Sequence, residues 1–155
     1  MAELGGLRRF CYSLTGNAAD ADDLLQATVE KLLQKGMPED AHTAKWSYRV
    51  CKNVWIDEIR SRDVRQRYPS IADEEEASHS TEEVADGERE IAAVSAALEK
   101  LPEDQRLALT LVTIEGKTYA EAAEILEVPV GTIMSRIARA RKNLLQHYSP
   151  EAYRD

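Results

Sequence analysis

The sequence predicts an all-α protein of two small helical domains joined by a flexible acidic linker, the C-terminal one with a helix-turn-helix. Three observations predict it. Apolar residues recur at helical spacing in both halves. The acid is concentrated in one segment between them. The second half closes on two helical patterns separated by a short turn. The chain has 155 residues, enough for one ordinary domain or two small ones. With 43% apolar and 31% charged side chains, its composition is globular, which excludes a collagen, a fully disordered chain and a disulfide scaffold. No stretch approaches the roughly 18 apolar residues of a membrane span. The N-terminus has no apolar signal core, so a cytoplasmic location is expected.

The first block is helical throughout. Leu7, Phe10, Cys11 and Leu14 recur at helical spacing and stop at Gly16. Asn17 can cap a second helix with the stripe Ala21, Leu24, Leu25, Val29, Leu32 and Leu33, ending at Gly36. Its other side shows Asp22, Asp23, Gln26 and Glu30. Acid near a helix start suits the dipole, so on pattern alone these acids serve either the helix or a partner. After a loop over 36–43, a long helix is expected from about Ala44 to Arg67. At 100° per residue, Lys45, Arg49, Lys52, Arg60 and Arg67 share one arc of roughly 80°. Trp46, Tyr48 and Trp55 interleave with that charge, and Asn53 lies among them. Cations beside aromatics suit single-stranded nucleic acid, which needs a charged groove and flat faces for unstacked bases. A solvated basic face with core aromatics would look the same.

Charge separates the blocks. Residues 1–69 carry net +1, residues 70–91 net −8 and residues 92–155 net −1. The low overall pI is therefore the property of one segment and does not argue against nucleic-acid binding, which local patches decide. Residues 70–91 hold few large apolar side chains and dense like charge, so they cannot offset their ordering entropy and read as a tether.

In the second block, Ile91, Val94, Leu98 and Leu101 suggest an amphipathic helix, and Pro102 suits the first position of another running to about Glu115. Thr118 and Glu121 form a capping box that opens a short helix, Tyr119 to Leu126. A turn, Glu127-Val128-Pro129, leads to a helix ending near His147. There Ile133, Ile137, Ala140 and Leu144 face inward, and Thr132, Ser135, Arg136, Arg139 and Lys142 face outward. Between Val130 and His147 stand four basic residues, Arg141 included, and no acid. A recognition helix needs such a bare basic face, with hydroxyl and guanidinium tips for base edges.

No catalytic chemistry is legible. Cys11 and Cys51 form no CxxC pair and read as small buried hydrophobes, and His42, His79 and His147 are scattered, so no metal site is expected. There is no plausible triad and no phosphate-cradling glycine loop; Gly131 reads as fitting a crowded helix start. The chain is expected to be no enzyme and to need no cofactor.

Three stretches together resemble the bacterial extracytoplasmic-function (ECF, group IV) sigma factors of RNA polymerase. Residues 10–26 resemble the family's polymerase-binding segment and residues 46–60 its −10 segment. Leu101–Arg106, Tyr119–Leu126 and Gly131–Arg141 resemble its −35 domain. The resemblance implies region 2 over 1–69, a linker over 70–91 and region 4 over 92–155. It implies that Asp22, Asp23 and Gln26 grip core polymerase, that Lys45, Arg49, Lys52, Asn53, Trp55 and Arg60 hold the −10 element, and that Thr132, Ser135, Arg136, Arg139, Arg141 and Lys142 read the −35 element. An anti-sigma factor is an implied partner. The family usually has glycine where Glu127 stands; a left-handed backbone there costs a non-glycine about 1 kcal/mol or more, so a looser turn is expected. Met134 often has a basic counterpart.

Three function classes follow: a promoter-specificity factor, a sigma-like decoy that sequesters an anti-sigma factor, and a stand-alone helix-turn-helix regulator. A decoy has no need of Arg136, Arg139, Arg141 and Lys142. A stand-alone regulator has no need of Asp22, Asp23 and Gln26.

Overall fold

The computed structural model describes residues 2–39, 42–67 and 96–147. The acidic segment 70–91 and the predicted apolar positions Ile91 and Val94 lie outside the described residues. Every described element is a helix or a turn.

Helices α1 (Ala2–Thr15), α2 (Ala18–Lys35) and α3 (Thr43–Arg67) pack on one another pairwise. Leu7, Phe10, Cys11 and Leu14 are all buried along α1. The helix stops at Gly16, whose φ of 89° suits glycine. Asn17 caps α2 as expected: its side-chain oxygen accepts the Asp20 N–H at 2.8 Å. Leu24 is fully buried, but Leu33 is 81% exposed, against expectation. Nine residues at 100° each put Leu33 on the face opposite Leu24. Thr28 fills the inward position instead, its hydroxyl donating to the Leu24 carbonyl at 2.8 Å.

Where α1 meets α3, the free thiols of Cys11 and Cys51 sit 3.5 Å apart and fully buried. The hydrogen bond to Cys51, with burial behind it, pushes the Cys11 thiol far up. Such a thiol lacks the thiolate that reactivity requires. Beside the pair, Phe10 meets Tyr48 edge-on, with ring centroids 5.0 Å apart.

The described part of the C-terminal domain begins with a helical turn over 96–99 that buries Ala97 and Leu98, with Leu101 just beyond. Pro102 sits at the cap of α4 (Glu103–Leu109), one position before the place predicted for it. The predicted continuation to Glu115 is not α-helical: Thr110–Ile114 widen into a π turn. Gly116 follows at φ 71°, and the Lys117 N–H returns to the Leu111 carbonyl at 2.9 Å. The widened turn directs the Glu115 carboxylate at α1.

The capping box opens α5 (Tyr119–Leu126) as predicted. The Thr118 hydroxyl accepts the Glu121 N–H at 3.0 Å, and the Glu121 carboxylate accepts the Thr118 N–H at 2.9 Å. The bond from the Thr118 backbone holds the Glu121 carboxyl below its usual range. Its contribution is therefore full above the ordinary carboxylate pKa and fades as pH falls through the lowered value. Thr118→Ala is expected to cost about 1 kcal/mol in denaturant unfolding; a loss within experimental error would show the cap to be idle.

Glu127 takes the left-handed conformation outright, at φ 59° and ψ 46°. The turn is thus not loosened by the missing glycine. Its closure is fixed by the Glu127 N–H and by the Val128 N–H at 3.1 Å, both donating to the Ala123 carbonyl. Helix α6 (Val130–His147) then buries Ile133, Ile137 and Ala140, with Leu144 packed beside them. Gly131 corrects an expectation: a Cβ there would meet nothing within 4 Å, so the helix start is open, not crowded.

The two domains share one hydrophobic cluster. Helix α5 packs on α3 and the π turn packs on α1. The buried Arg106 of α4 donates to the Ser13 carbonyl at 2.8 and 3.2 Å, its guanidinium 6.0 Å from the centre of the Trp55 ring.

Candidate nucleic-acid interface

The two basic helices stand in different environments. On α6, Ser135, Arg139, Arg141 and Lys142 are exposed. Thr132 is half-buried. Arg136 is also half-buried, its Nε 3.6 Å from Asp104 of α4. The inward stripe of isoleucines fixes the helix against α4 and α5, so the basic face must point away from the core. What it presents is a group of donors, Ser135, Arg139 and Lys142 within one arc and Arg141 beside exposed Met134, with no carboxylate on the same helix.

Three cations of α3, Lys45, Arg49 and Lys52, are covered. Lys45 Nζ lies 2.6 Å from a Glu124 carboxylate oxygen, a bond that holds its amine above the usual range. Arg49 donates to the Glu124 carbonyl at 2.6 Å and lies 3.5 Å from the Glu127 carboxylate. Its guanidinium also sits 5.5 Å from the centre of the Trp46 ring. Lys52 is buried, and loss of solvent pushes its amine down. Asn53 and Arg60 are exposed.

The aromatic part of the expectation is corrected. Tyr48 is 4% and Trp55 5% exposed. Both lie on the core side of α3, one against Phe10 and the other under Arg106, so neither is an open stacking face in this arrangement. A cleft of about 600 Å³ opens between α3, α4, α5 and α6, lined among others by Lys52, Ile56, Arg60, Leu107, Leu126 and Arg136. Its lining mixes apolar side chains with charges of both signs, since Glu103 and Asp104 line it as well as the three cations.

Asp22, Asp23 and Gln26 are exposed on the first turns of α2. Only Asp22 has an ion-pair partner among the described residues, Arg8 at 3.5 Å. Asp23 and Gln26 project into solvent from a helix anchored by Ala21 and Leu24.

Sequence reasoning missed a set of carboxylates on the C-terminal domain. Glu115 accepts two bonds from Arg9 at 3.0 Å and one from the Tyr48 hydroxyl at 2.7 Å. Burial and this acceptor push the Tyr48 phenol up. Glu124 and Glu127 meet Lys45 and Arg49. No local pattern marks them, since each pairs with a residue more than 70 positions away.

Comparison with known proteins settles the family. The family model for Sigma-70 region 2 matches residues 1–65, and that for Sigma-70 region 4 matches residues 91–144. The ECF RNA polymerase sigma factor EcfG of Rhodopseudomonas palustris is 37% identical over 149 residues, which cover 93% of this chain and 80% of that protein. The chain belongs to the ECF sigma factor family. This ECF sigma factor is also 31% identical to SigW of Bacillus subtilis, over 88% of the chain and 79% of SigW. In three dimensions it resembles the sigma factor RpoE of Bartonella quintana, solved in complex with the anti-sigma factor NepR. The TM-score is 0.72 at 29% identity, over 94% of this chain and 91% of that one. As an ECF sigma factor it is a transcription initiation factor that directs RNA polymerase to promoters. No described helix is long and apolar enough to cross a membrane.

Proposed function

We propose that this sigma factor reads promoters with two separate faces, residues 1–69 forming region 2, residues 70–91 a tether and residues 92–155 region 4. The face of α6 reads the −35 element as duplex through Thr132, Ser135, Arg136, Arg139, Arg141 and Lys142. The face of α3 holds the −10 element through Lys45, Arg49, Lys52, Asn53 and Arg60. Trp55 supports that helix from the core side. Asp22, Asp23 and Gln26 bind core polymerase. The factor carries out no catalytic step and needs no cofactor, works in the cytoplasm, and is held in check by an anti-sigma factor, as its Bartonella relative is bound by one.

The observation that carries this reading is the row Ser135, Arg139 and Lys142, exposed with Arg141 on the second helix of a helix-turn-helix whose other face is locked into the core. Few phosphate contacts per domain make DNA binding by the free chain weak and salt-sensitive. Core polymerase holds both readers over one site and raises their effective concentration.

Run-off transcription from a random promoter library with purified core enzyme tests the reading. Enrichment of a two-part motif is expected. A chain that binds an anti-sigma factor yet yields no promoter-specific product is a decoy, and one that binds the motif without core enzyme is a stand-alone regulator. Within the enriched set, Arg139→Ala is expected to cost about 1–3 kcal/mol and to relax preference at one −35 position. Equal activity of the variant on every −35 sequence removes Arg139 from the reader.

A further inference from the structure

Two large apolar side chains stand in the open at the start of α6: Val130 is 42% and Met134 53% exposed. A single exposed apolar residue needs no explanation. These two are a pair four residues apart, on one side of the second helix of the helix-turn-helix. Neither is part of the hydrophobic cluster or of the partly buried side chains packed against it. At 100° per residue they share an arc of about 40° with Arg141, and Met134 lies about 100° from Ser135. They therefore border the row of Ser135, Arg139 and Lys142 on one flank. Between them, Gly131 leaves the helix start bare, since a Cβ there would meet nothing within 4 Å. No side chain at that point holds the helix off an approaching surface.

The opening turns of such a helix are the part that enters the major groove. The groove is about 12 Å wide and a helix with its side chains about 10–12 Å across, so the flanks of the helix meet base edges too. An apolar side chain has one specific partner there, the 5-methyl group of thymine. The other features of the groove are hydrogen-bond donors and acceptors, which valine cannot pair and a thioether pairs only weakly. We infer that Met134, with Val130 behind it, is a specificity-determining contact that selects thymine at one position of the −35 element by packing on its 5-methyl group. Resting on the reading of α6 as the −35 helix, this contact adds a base that no hydrogen bond specifies.

The side chains suit the task. Methionine is unbranched and polarizable, so it moulds to an irregular apolar surface. Val130, stiff at its branched Cβ, backs it one turn earlier. Burying one methyl-sized group is worth a factor of about four in affinity. Cytosine lacks the methyl group and the purines present polar edges, so the contact discriminates between bases. The apolar stretch is also short. Leu145, 69% exposed on the same side, lies about 16 Å further along the helix, beyond Arg141. A protein partner covering this whole side of α6 would use Leu145 as well as Met134, whereas a groove contact at the helix start uses Met134 without it.

The test uses the full-length chain with core polymerase on promoters from the enriched set. Each −35 thymine, on either strand in turn, is replaced by uracil, which pairs identically and lacks only the methyl group. Run-off product at limiting holoenzyme is the readout. The wild type is expected to lose about fourfold at one position. Met134→Ala should give equal product from the thymine and uracil templates, Met134→Leu should keep the difference, and Leu145→Ala should leave it untouched. Thermal melting checks that the exposed substitutions leave the fold intact. Equal product from every uracil template in the wild type overturns the inference, and so does a −35 element with no thymine on either strand. A thymine preference that survives in Met134→Ala removes Met134 from the contact. Losses of equal size on both templates, shared by Met134→Ala and Leu145→Ala, assign this side of α6 to a protein partner and refute the thymine contact. If Arg139→Ala still relaxes one −35 position while uracil changes nothing, the −35 reading stands and only the methyl contact falls. A library that enriches no −35 motif is the separate failure: it removes α6 from −35 recognition and this contact with it.

Discussion

Phe10→Ala is expected to lower the stability of the chain by about 3–5 kcal/mol, the range for emptying a fully buried aromatic site. Phe10 is 0% exposed. It lies where α1 meets α3, edge-on to Tyr48 at 71° between ring planes. Its neighbours are held by helices on both sides, so the site cannot collapse to fill the void. Against a total stability of about 5–15 kcal/mol, the loss is a large fraction. It should appear as a fall in Tm of about 6–20 °C for a chain of this size. Damage should spread to the domain interface, because Tyr48 bonds Glu115 at 2.7 Å and loses its backing ring. Leu33→Ala is the contrast. That leucine lies on the open face of α2, and its loss should stay within about 0.5 kcal/mol. Equal falls in Tm for the two variants would show that the packing of α1 on α3 is wrong.

The helices were legible because their signals are local. The cap at Asn17, the stop at Gly16, the capping box at Thr118 and the inward stripe of α6 each depend on neighbours within about one or two turns. The start and end of α5 fall where its cap and its turn place them. Leu33 shows the limit of a short stripe: counted as one more apolar position it belongs, but by angle it does not. The π turn escaped because one extra residue in a turn leaves no composition signal. The same holds for the thiol contact between Cys11 and Cys51 and for the aromatics of α3. Residue type could not say whether Tyr48 and Trp55 served bases or core. Phe10 and Arg106, brought in from other helices, decided it. On α6 one face is plainly apolar and the other plainly basic, so local pattern fixes which side is buried. On α3 the cations lie where expected, but their partners come from the far end of the chain.

Replacing Asp22 and Asp23 together by lysine is expected to weaken binding of this ECF sigma factor to core polymerase by about a hundredfold or more. The loss corresponds to about 3 kcal/mol, an ordinary value when charged anchors of an interface are reversed. Promoter-specific transcription should fall with it. The fold should survive, for a structural reason. Both side chains are exposed, and Leu24 and Ala21, which anchor the helix, point the other way. The N-cap bond from Asp20 to Asn17 lies one turn earlier and is untouched. Two lysines near a helix start oppose its dipole, which costs a few tenths of a kcal/mol per charge and up to about 1 kcal/mol. That is small beside the expected loss of binding. Two measurements separate the roles these acids could have. If they serve only the dipole, Tm falls slightly and affinity for core enzyme is unchanged. If they anchor polymerase, affinity collapses while Tm barely moves, and DNA binding by the free chain does not weaken, because α3 and α6 are intact. Full affinity in the variant would remove Asp22 and Asp23 from the polymerase-binding set and leave the start of α2 a solvated acidic turn.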